Sequence, residues 1–253
     1  MKITFLGTGT SQGVPVITCK CQVCLSKDPR DIRLRTSVNV EIDKKTILID
    51  AGPDFRAQML SAKVNKIDAV LITHKHKDHI AGLDDIRAFN YTQDEAINLY
   101  ANIESCNAIR REFYYAFEEV QNPVGPKLNL NIIDGTAFTA AGIDIIPVRV
   151  MHDTLNVLGF RIKDFVYITD AKTVAKDERM KLNGCKILVV NALQQASHPA
   201  HFNLEEAVQF ADEIGAERTY FTHISHLMGK YKDVTQSLPK NVMLAYDSLT
   251  LEL

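Results

Sequence analysis

The sequence predicts an α/β fold with four layers, helix–sheet–sheet–helix (αββα), in a single domain that spans residues 1–253. Short apolar runs typical of strands occur in both halves of the chain, and helix-like segments fall between them. No repeat, low-complexity tract or linker divides the chain. With 253 residues and 46% apolar content, the chain can bury a large core without disulfides. Two sheets packed together, with helices outside, satisfy this pattern.

Strands and helices alternate in the first half. The predicted strands are Ile3–Leu6, Ser37–Ile42, Lys45–Asp50, Ile67–Ile72 and Ile97–Ala101. The predicted helices are Pro53–Leu60, Leu83–Asn90 and Ile103–Val120. Asp43-Lys44 joins two strands as a hairpin, and Pro53 suits the first turn of a helix. The glycine-rich loop Gly7–Gly13 lacks the Gly-Lys-Ser/Thr ending of a P-loop, so we expect it to line a site without cradling a nucleotide.

Strands dominate the second half. They are predicted at Leu128–Ile133, Ile143–Met151, Val157–Ile162, Phe165–Thr169, Lys186–Asn191, Thr219–Thr222, Val242–Tyr246 and Ser248–Leu253. Helices are predicted at Ala171–Leu182, Asn203–Ile214 and Met228–Leu238. Asn203 and Glu206 form a capping-box pattern, and Gly215 ends that helix. The aromatic segment 110–131, with a loop marked by Pro123 and Pro126, is expected to pack on the core, with a pocket or dimer contact as the alternative.

A dense group of metal-binding side chains follows the apolar run Ile67–Ile72. It reads Thr73-His74-Lys75-His76-Lys77-Asp78-His79. In an extended backbone, residues two apart point to the same side, so His74 and His76 face together. Imidazole and carboxylate ligands suit Zn, Mn or Fe ions. The sequence therefore predicts a metal site where a strand passes into a loop.

Three more candidate ligands stand at the carboxyl ends of predicted strands. They are His152, Asp170 and His223. If these strand ends meet at one edge, seven ligands gather there: His74, His76, Asp78, His79, His152, Asp170 and His223. Seven ligands suit two metal ions that share a carboxylate, the arrangement of hydrolytic sites that activate water.

The cysteines divide into a cluster and two isolated residues. Cys19, Cys21 and Cys24 lie close together, and such a cluster predicts a metal site before a disulfide. Reduced surface thiols are the alternative. Cys106 and Cys185 are expected to be small core residues.

Net charge and hydropathy limit the kinds of binding partner that we expect. The net charge of −2 gives no general attraction to nucleic acid or anionic membranes. The chain starts with a strand, without the pattern of a signal peptide, and contains no 18-residue apolar stretch. We therefore expect a cytoplasmic protein with no membrane partner and no nucleic-acid partner.

The histidine pattern resembles that of the metallo-β-lactamase superfamily, as does the opening Phe5-Leu6-Gly7-Thr8-Gly9-Thr10. The resemblance covers the whole chain and implies that family's αββα sandwich. It implies one ion bound by His74, His76, His152 and Asp170. It implies a second bound by Asp78, His79, Asp170 and His223, with Asp170 bridging. His76 stands where the diiron flavoprotein branch carries a carboxylate, which argues against that branch.

A narrower resemblance rests on Cys-x-Cys-x2-Cys after Gly13-Val14-Pro15-Val16, and on His226 three residues past His223. The pattern is similar to the PhnP-like phosphodiesterases. It implies that Cys19, Cys21, Cys24 and His226 hold a structural zinc in a small loop at 17–26, and three thiolates with one imidazole do make a closed tetrahedral site. It also implies a homodimer and a general acid at His201, for which a solvated loop histidine is the alternative.

The predicted function is a dinuclear metal phosphodiesterase with Mn or Zn, or else Fe, in the open site, and with His201 and Asp78 as catalytic residues. The predicted substrates are small phosphodiesters such as cyclic ribose phosphates or nucleotides. The alternatives are a tRNA 3′-end processing ribonuclease, which the balanced charge disfavours, and a zinc-stabilised non-catalytic binding module. The sequence leaves open the natural substrate, the metal, the oligomeric state, and the roles of His198 and of segment 110–131.

Overall fold

A computed structural model describes residues 1–118 and 124–253 and contains two β-sheets packed face to face. The first sheet consists of β1 (Lys2–Gly7), β2 (Ser37–Ile42), β3 (Lys45–Ile49), β4 (Ala69–Leu71), β5 (Ile97–Ala101), β6 (Leu128–Ile132) and β15 (Thr250–Glu252). The second consists of β7 (Phe138–Ala140), β8 (Ile143–His152), β9 (Leu155–Ile162), β10 (Phe165–Tyr167), β11 (Thr173–Val174), β12 (Ile187–Asn191), β13 (Arg218–Thr222) and β14 (Val242–Leu244).

Strand direction decides which ends of the strands meet. The first sheet runs in the order β15-β1-β2-β3-β4-β5-β6, with β3 to β6 parallel. The second runs β11-β8-β9-β10-β12-β13-β14, with β7 beside β8 and with β10, β12, β13 and β14 parallel. Because β9 is antiparallel to both β8 and β10, β8 points the same way as β10. The carboxyl ends of β8, β10 and β13 therefore lie at one edge.

Helices cover the outer faces of both sheets. They are α1 (Phe55–Ala62), α2 (Lys77–Ile80), α3 (Arg87–Gln93), α4 (Ile103–Glu112), α5 (Lys176–Met180), α6 (Leu204–Ile214) and α7 (Tyr231–Thr235), with 3₁₀ turns at Pro29–Asp31, Leu83–Ile86 and Tyr114–Ala116. Within the described residues, every helix is too short or too polar to cross a lipid bilayer.

Three apolar clusters hold the layers together. The central one joins the inner faces of the sheets and includes Phe5 and Val40 of the first and Phe160 of the second. The second cluster packs α6, through Phe210, on the outer face of the second sheet. The third packs α1 and α4 on the first sheet and includes Ile109. This four-layer αββα sandwich confirms the predicted fold class.

Several predicted elements need correction. The helix predicted at Ala171–Leu182 starts too early and is too long. The N–H of Lys172 donates to Met151 and Thr173–Val174 pairs with β8, so only the short α5 (Lys176–Met180) is helical. The helix predicted from Pro53 begins at Phe55, and the strand predicted at Ile67–Ile72 is only Ala69–Leu71.

The aromatic segment packs largely as expected. The predicted helix Ile103–Val120 ends at Glu112, and a 3₁₀ turn follows. Phe113 is buried, and Tyr115 and Phe117 pack against the core under α4, whereas Tyr114 is exposed. The hydroxyl of Tyr115 also donates to Asp84 at 2.7 Å. Val120 and Pro123, on which part of the prediction fell, lie outside the described residues.

Candidate metal centre

Backbone turns at the shared edge carry the predicted ligands into one group, which we call the rim site: His74, His76, Asp78, His79, His152, Asp170 and His223. The loop after β4 supplies His74 and His76, and α2 supplies Asp78 and His79. His152 ends β8, Asp170 lies three residues past β10, and His223 directly follows β13. The backbones of Asp170 and His223 have φ of 57° and 56°, in the left-handed region. Non-glycine residues adopt that region rarely, and often at functional sites.

The rim site divides into two sets of ligand atoms. Nitrogens of His74, His76 and His152 lie within 4.8 Å of one another, and so do the ligand atoms of Asp78, His79 and His223. Within the first set, His74 Nε2 and His76 Nδ1 are 3.0 Å apart.

Asp170 lies between the two sets. Its Oδ1 is 3.1 Å from His223 Nε2, and its Oδ2 is 3.4 Å from His79 Nε2. Its ligand atoms also group with those of His74 and, separately, with those of His152. The geometry therefore places Asp170 where a carboxylate shared by two ions is expected.

The donor atoms fit a divalent metal. His79 Nε2 and His223 Nε2 are buried and have no hydrogen-bond partner among the described residues. Carboxylate oxygens nevertheless approach them, since Asp78 Oδ2 lies 3.2 Å from His79 Nε2 and 3.5 Å from His223 Nε2. Ligand bonds of about 2.1 Å in tetrahedral geometry place neighbouring ligand atoms about 3.4 Å apart. Unpaired nitrogens facing carboxylate oxygens at these distances match a metal-binding arrangement.

Hydrogen bonds at the second ring nitrogen orient the imidazoles. His79 Nδ1–H donates to Asp50 Oδ2 at 2.6 Å, and His152 Nδ1–H donates to the carbonyl of Ala200 at 2.8 Å. Thr73 Oγ1 lies 3.1 Å from His74 Nδ1 and donates to Asp50 at 2.8 Å. Such contacts fix ring orientation and raise ligand basicity.

The sequence-based prediction missed Asp50 and Thr73. Asp50 is fully buried and has a left-handed backbone, with φ of 64°. The sequence does contain a feature that could have identified Asp50, because this residue directly follows the apolar strand β3, as His223 follows β13. The sequence predicts a strand at Lys45–Asp50, whereas β3 ends at Ile49.

Mutual pairing sets the charges at the rim site. Burial alone would raise the pKa of Asp170, but His223 and His79 hold it well below its usual range. Burial would likewise raise the pKa of Asp78, yet His79 and His223 lower it. Burial would lower the pKa of His79, whereas Asp50 and then Asp78 raise it well above its usual value. The two rim carboxylates are therefore ionised at neutral pH, the form that binds metal.

Two further histidines border the rim site. His201 Nδ1 lies 3.7 Å from Asp170 Oδ1. The ring of His201 is 4.4 Å from that of His152 and 5.0 Å from those of His198 and His223. His198 accepts a hydrogen bond from the backbone N–H of Ala200 at 3.2 Å and is less buried. The structure thus places His201 next to the ligands and His198 farther out, beyond His201.

A second group, which we call the cysteine cluster, consists of Cys19, Cys21, Cys24 and His226, whose ligand atoms lie within 4.8 Å of one another. His226 Nδ1 is 3.3 Å from Cys19 Sγ and 3.4 Å from Cys21 Sγ. Tetrahedral zinc separates S and N ligands by about 3.6 Å. A hydrogen bond from the Cys24 N–H lowers the pKa of Cys21 to about 6, which favours the thiolate that zinc binds. The prediction that Cys106 and Cys185 are buried is confirmed.

Comparison with known proteins establishes the family. A family model described as the beta-lactamase superfamily domain matches residues 45–224, more than half of the chain. The chain belongs to the beta-lactamase superfamily. Within the superfamily, a crystal structure of a diphosphatase from the PhnP family has a TM-score of 0.94 and 38% identity, and the match covers 100% of this chain and 96% of that one. The predicted PhnP-like relationship is confirmed.

Two other proteins are similar to this chain. An octanoyltransferase of Porphyromonas gingivalis is 37% identical over 252 residues, which is 98% of this chain but 51% of that protein. The chain thus spans about half the length of that relative, and the name octanoyltransferase applies to the whole of that longer protein. Zn²⁺-bound PqqB from Methylobacterium extorquens has a TM-score of 0.80 with 19% identity, and the match covers 100% of both chains. At that identity the likeness shows the fold alone.

Proposed function

We propose that the protein is a dinuclear metal hydrolase that cleaves small phosphodiesters, such as cyclic ribose phosphates or nucleotides. The convergence of the rim site supports this proposal, because its seven nitrogen and carboxylate ligands come together from four strand ends, with Asp170 between the two sets. Membership of the superfamily and the PhnP-family neighbour support it.

The residues in and around the rim site have different roles in the proposed reaction. Divalent ions held there would polarise the phosphoryl group and lower the pKa of water. Asp50 and Thr73 keep the rings of His79 and His74 in the orientation that exposes their other nitrogens. Asp78 supplies fixed negative charge beside His79 and His223. We assign Mn or Zn, or else Fe, as the ions, since histidine–carboxylate sites accept all three.

His201 is proposed as the general acid that protonates the leaving oxygen. It borders both sets of ligands, its ring nitrogen lies within 4.8 Å of ligand atoms of His152 and Asp170, and its Nδ1 is 3.7 Å from Asp170 Oδ1. Burial and then His223 lower its pKa to about 3 in the free protein. An anionic phosphoryl group beside the ring favours the charged imidazole and so opposes this lowering. Substrate binding would therefore favour the protonated ring, the form that the leaving group needs.

A diphosphate is the second candidate substrate, because the PhnP-family neighbour at 38% identity is described as a diphosphatase. The two substrates differ in the leaving group. A phosphodiester releases an alkoxide, which needs a proton from His201, whereas a diphosphate releases a phosphate of lower basicity. Dependence on His201 should therefore be weaker with a diphosphate.

The remaining assignments are proposals of the same kind. The cysteine cluster would hold a structural zinc, to which its four groups offer a closed set of ligands. A homodimer, a cytoplasmic location and a small-molecule substrate without membrane or nucleic-acid partners remain predictions.

The decisive experiment is a substrate panel with metal analysis on the same sample. Bis(p-nitrophenyl) phosphate, a cyclic ribose phosphate, a dinucleoside diphosphate and a tRNA precursor are incubated with Mn²⁺- or Zn²⁺-loaded protein. We expect metal-dependent cleavage of the small phosphodiesters. Salt-sensitive cleavage of the tRNA precursor alone would favour a processing ribonuclease. No turnover at full metal occupancy would favour a binding module.

A further inference from the structure

The cysteine cluster and the rim site share one short segment. His226 of the cluster is three residues past His223 of the rim site, and Ile224 and Ser225 separate them. His223 has a left-handed backbone, with φ of 56°. A non-glycine residue keeps this backbone only when its surroundings hold it there.

Backbone hydrogen bonds hold this segment on both sides. The N–H of Ile224 donates to Thr8 at 2.9 Å, and its carbonyl accepts from Thr10 at 3.1 Å. The N–H of Ser225 donates to Leu193 at 2.9 Å. The segment is thus fixed between the glycine-rich loop and the residues that follow β12. His226, the next residue, is anchored by its contacts with Cys19 and Cys21.

Further backbone hydrogen bonds connect Leu193 to the residues on the other side of the rim site. The N–H of Leu193 donates to Phe202 at 2.9 Å, and the N–H of Phe202 donates to Ala171 at 2.8 Å. Phe202 directly follows His201, and Ala171 directly follows Asp170. A displacement of residues 224–226 would therefore be passed to His223, His201 and Asp170 through main-chain contacts.

We propose that the cysteine cluster is a positioning element for the rim site, and that an ion bound by Cys19, Cys21, Cys24 and His226 sets the metal affinity of the rim site through residues 223–225. This proposal rests on metal binding at the rim site, as the proposed function does, but does not depend on which bond the enzyme cleaves. It assigns the cluster a role beyond holding the 17–26 loop folded.

The test measures metal affinity at the rim site without turnover. Wild type and a His226→Ala variant are titrated with Co²⁺, whose thiolate charge-transfer absorption reports the cysteine cluster and whose visible bands report the rim site. We expect His226→Ala, which keeps three thiolates, to show a weaker thiolate signal and to bind Co²⁺ at the rim site about tenfold more weakly, a loss typical of removed supporting contacts. Cys106→Ala, which removes a thiol outside both sites, should match wild type.

A rescue variant separates positioning from folding. His226→Cys restores a fourth ligand, because cysteine sulfur and His Nδ1 both lie close to the backbone and Cys₄ zinc sites are common. We expect it to recover the rim affinity. If His226→Ala does not fold, Cys21→Ser, which keeps three ligand groups, takes its place in the titration.

The outcomes are exclusive. A loss of rim affinity of about fivefold or more, restored by His226→Cys, supports the proposal. A smaller loss in a folded variant overturns it, and so does a loss that His226→Cys fails to restore. A protein that shows this coupling but cleaves no phosphodiester would refute the proposed function alone.

Discussion

At the scale of single residues, Asp170 lies between the two ligand sets, where the proposed function needs a carboxylate shared by two ions. The Asp170→Asn variant keeps the size of the side chain and a residue type that tolerates the left-handed backbone. It removes the charge that two ions would share. We expect the rim site to lose one of its two ions and turnover to fall about 10–100-fold, measured by metal analysis and by cleavage of bis(p-nitrophenyl) phosphate.

The exposed carboxylate Asp212 on α6 provides the matched control for this change. Asp212→Asn should leave the metal content and turnover of the protein at wild-type values. Full occupancy by both ions and wild-type turnover in Asp170→Asn would show that this carboxylate is not shared.

His201 is expected to separate catalysis from metal binding. His201→Ala should lower turnover of a phosphodiester with an alkoxide leaving group by about 10²–10⁴, because the leaving oxygen loses its proton donor. The metal content should stay unchanged. The comparison uses kinetics and metal analysis, with His198→Ala, from the same loop, as the companion variant. A His201→Ala protein that is short of metal would make His201 a ligand.

Much of the rim site could be predicted from residue order. His152, Asp170 and His223 each follow an apolar run, and polar side chains at such points belong to the edge of a sheet rather than to its interior. Asp50 meets the same description but follows a strand that the sequence places in a hairpin, so nothing local distinguishes it from an ordinary turn residue. Its role depends on its contact with His79, 29 residues away along the chain.

At the scale of elements, α6 begins three residues past His201 and anchors the end of the loop that carries this histidine. Asn203 accepts from the N–H of Glu206 at 2.9 Å, and Glu206 accepts from the N–H of Asn203 at 3.0 Å. This is the predicted capping box, and Gly215 ends the helix with φ of 67°. The start of α6 is thus specified by local sequence.

Asn203→Ala should lower the free energy of unfolding by about 1 kcal/mol, because the first turn of α6 loses a hydrogen-bond acceptor for a backbone N–H. Urea denaturation measures the change. Gln209→Ala, at an exposed position in the same helix, should change the free energy by a few tenths of a kcal/mol at most. Equal stability of the two variants would contradict the role of the cap.

Elements without strong local signals were the ones predicted wrongly. The start of the helix predicted at Ala171–Leu182 pairs instead with β8, through Thr173 and Val174, and these partners lie more than 20 residues away in the chain. Helix α2, four residues long, was missed because it is too short to show a period. In contrast, β5 and β12 were predicted almost to the residue. β12 is a nearly continuous apolar run, typical of a buried parallel strand, and β5 alternates apolar residues with the half-buried Asn98 and Tyr100.

At the scale of the whole molecule, Asp247 ties together the two ends of the chain. It lies in the loop between β14 and β15 and is hydrogen-bonded to the loop between β1 and β2. It accepts from the hydroxyl of Thr8 at 2.7 Å and from the N–H of Leu34 at 2.7 Å. The buried Arg33 donates to Thr8 and to the carbonyl of Ala245 at 2.6 Å. Burial raises the pKa of Asp247 from 3.8 to about 6.

This pKa shift gives stability a defined pH dependence. Between about pH 4 and 6 the folded state holds a proton on Asp247 that the unfolded state releases, so the free energy of unfolding from this group falls as pH rises. The expected fall is on the order of 2 kcal/mol, complete above pH 6. Asp247→Asn should lack it. Urea titrations of both proteins from pH 4 to 7 measure the difference, and parallel curves would contradict the assignment.

The left-handed backbones of Asp50, Asp170 and His223 limit how the rim could be redesigned. Asparagine, aspartate, histidine and glycine tolerate such a conformation, whereas β-branched and bulky side chains are strained in it. An engineer who wished to install a softer thiolate or a longer carboxylate for a different cation would meet a conformational cost at these places before any question of coordination arose. His74 and His76, whose backbones are not left-handed, are the better starting points for changing metal preference.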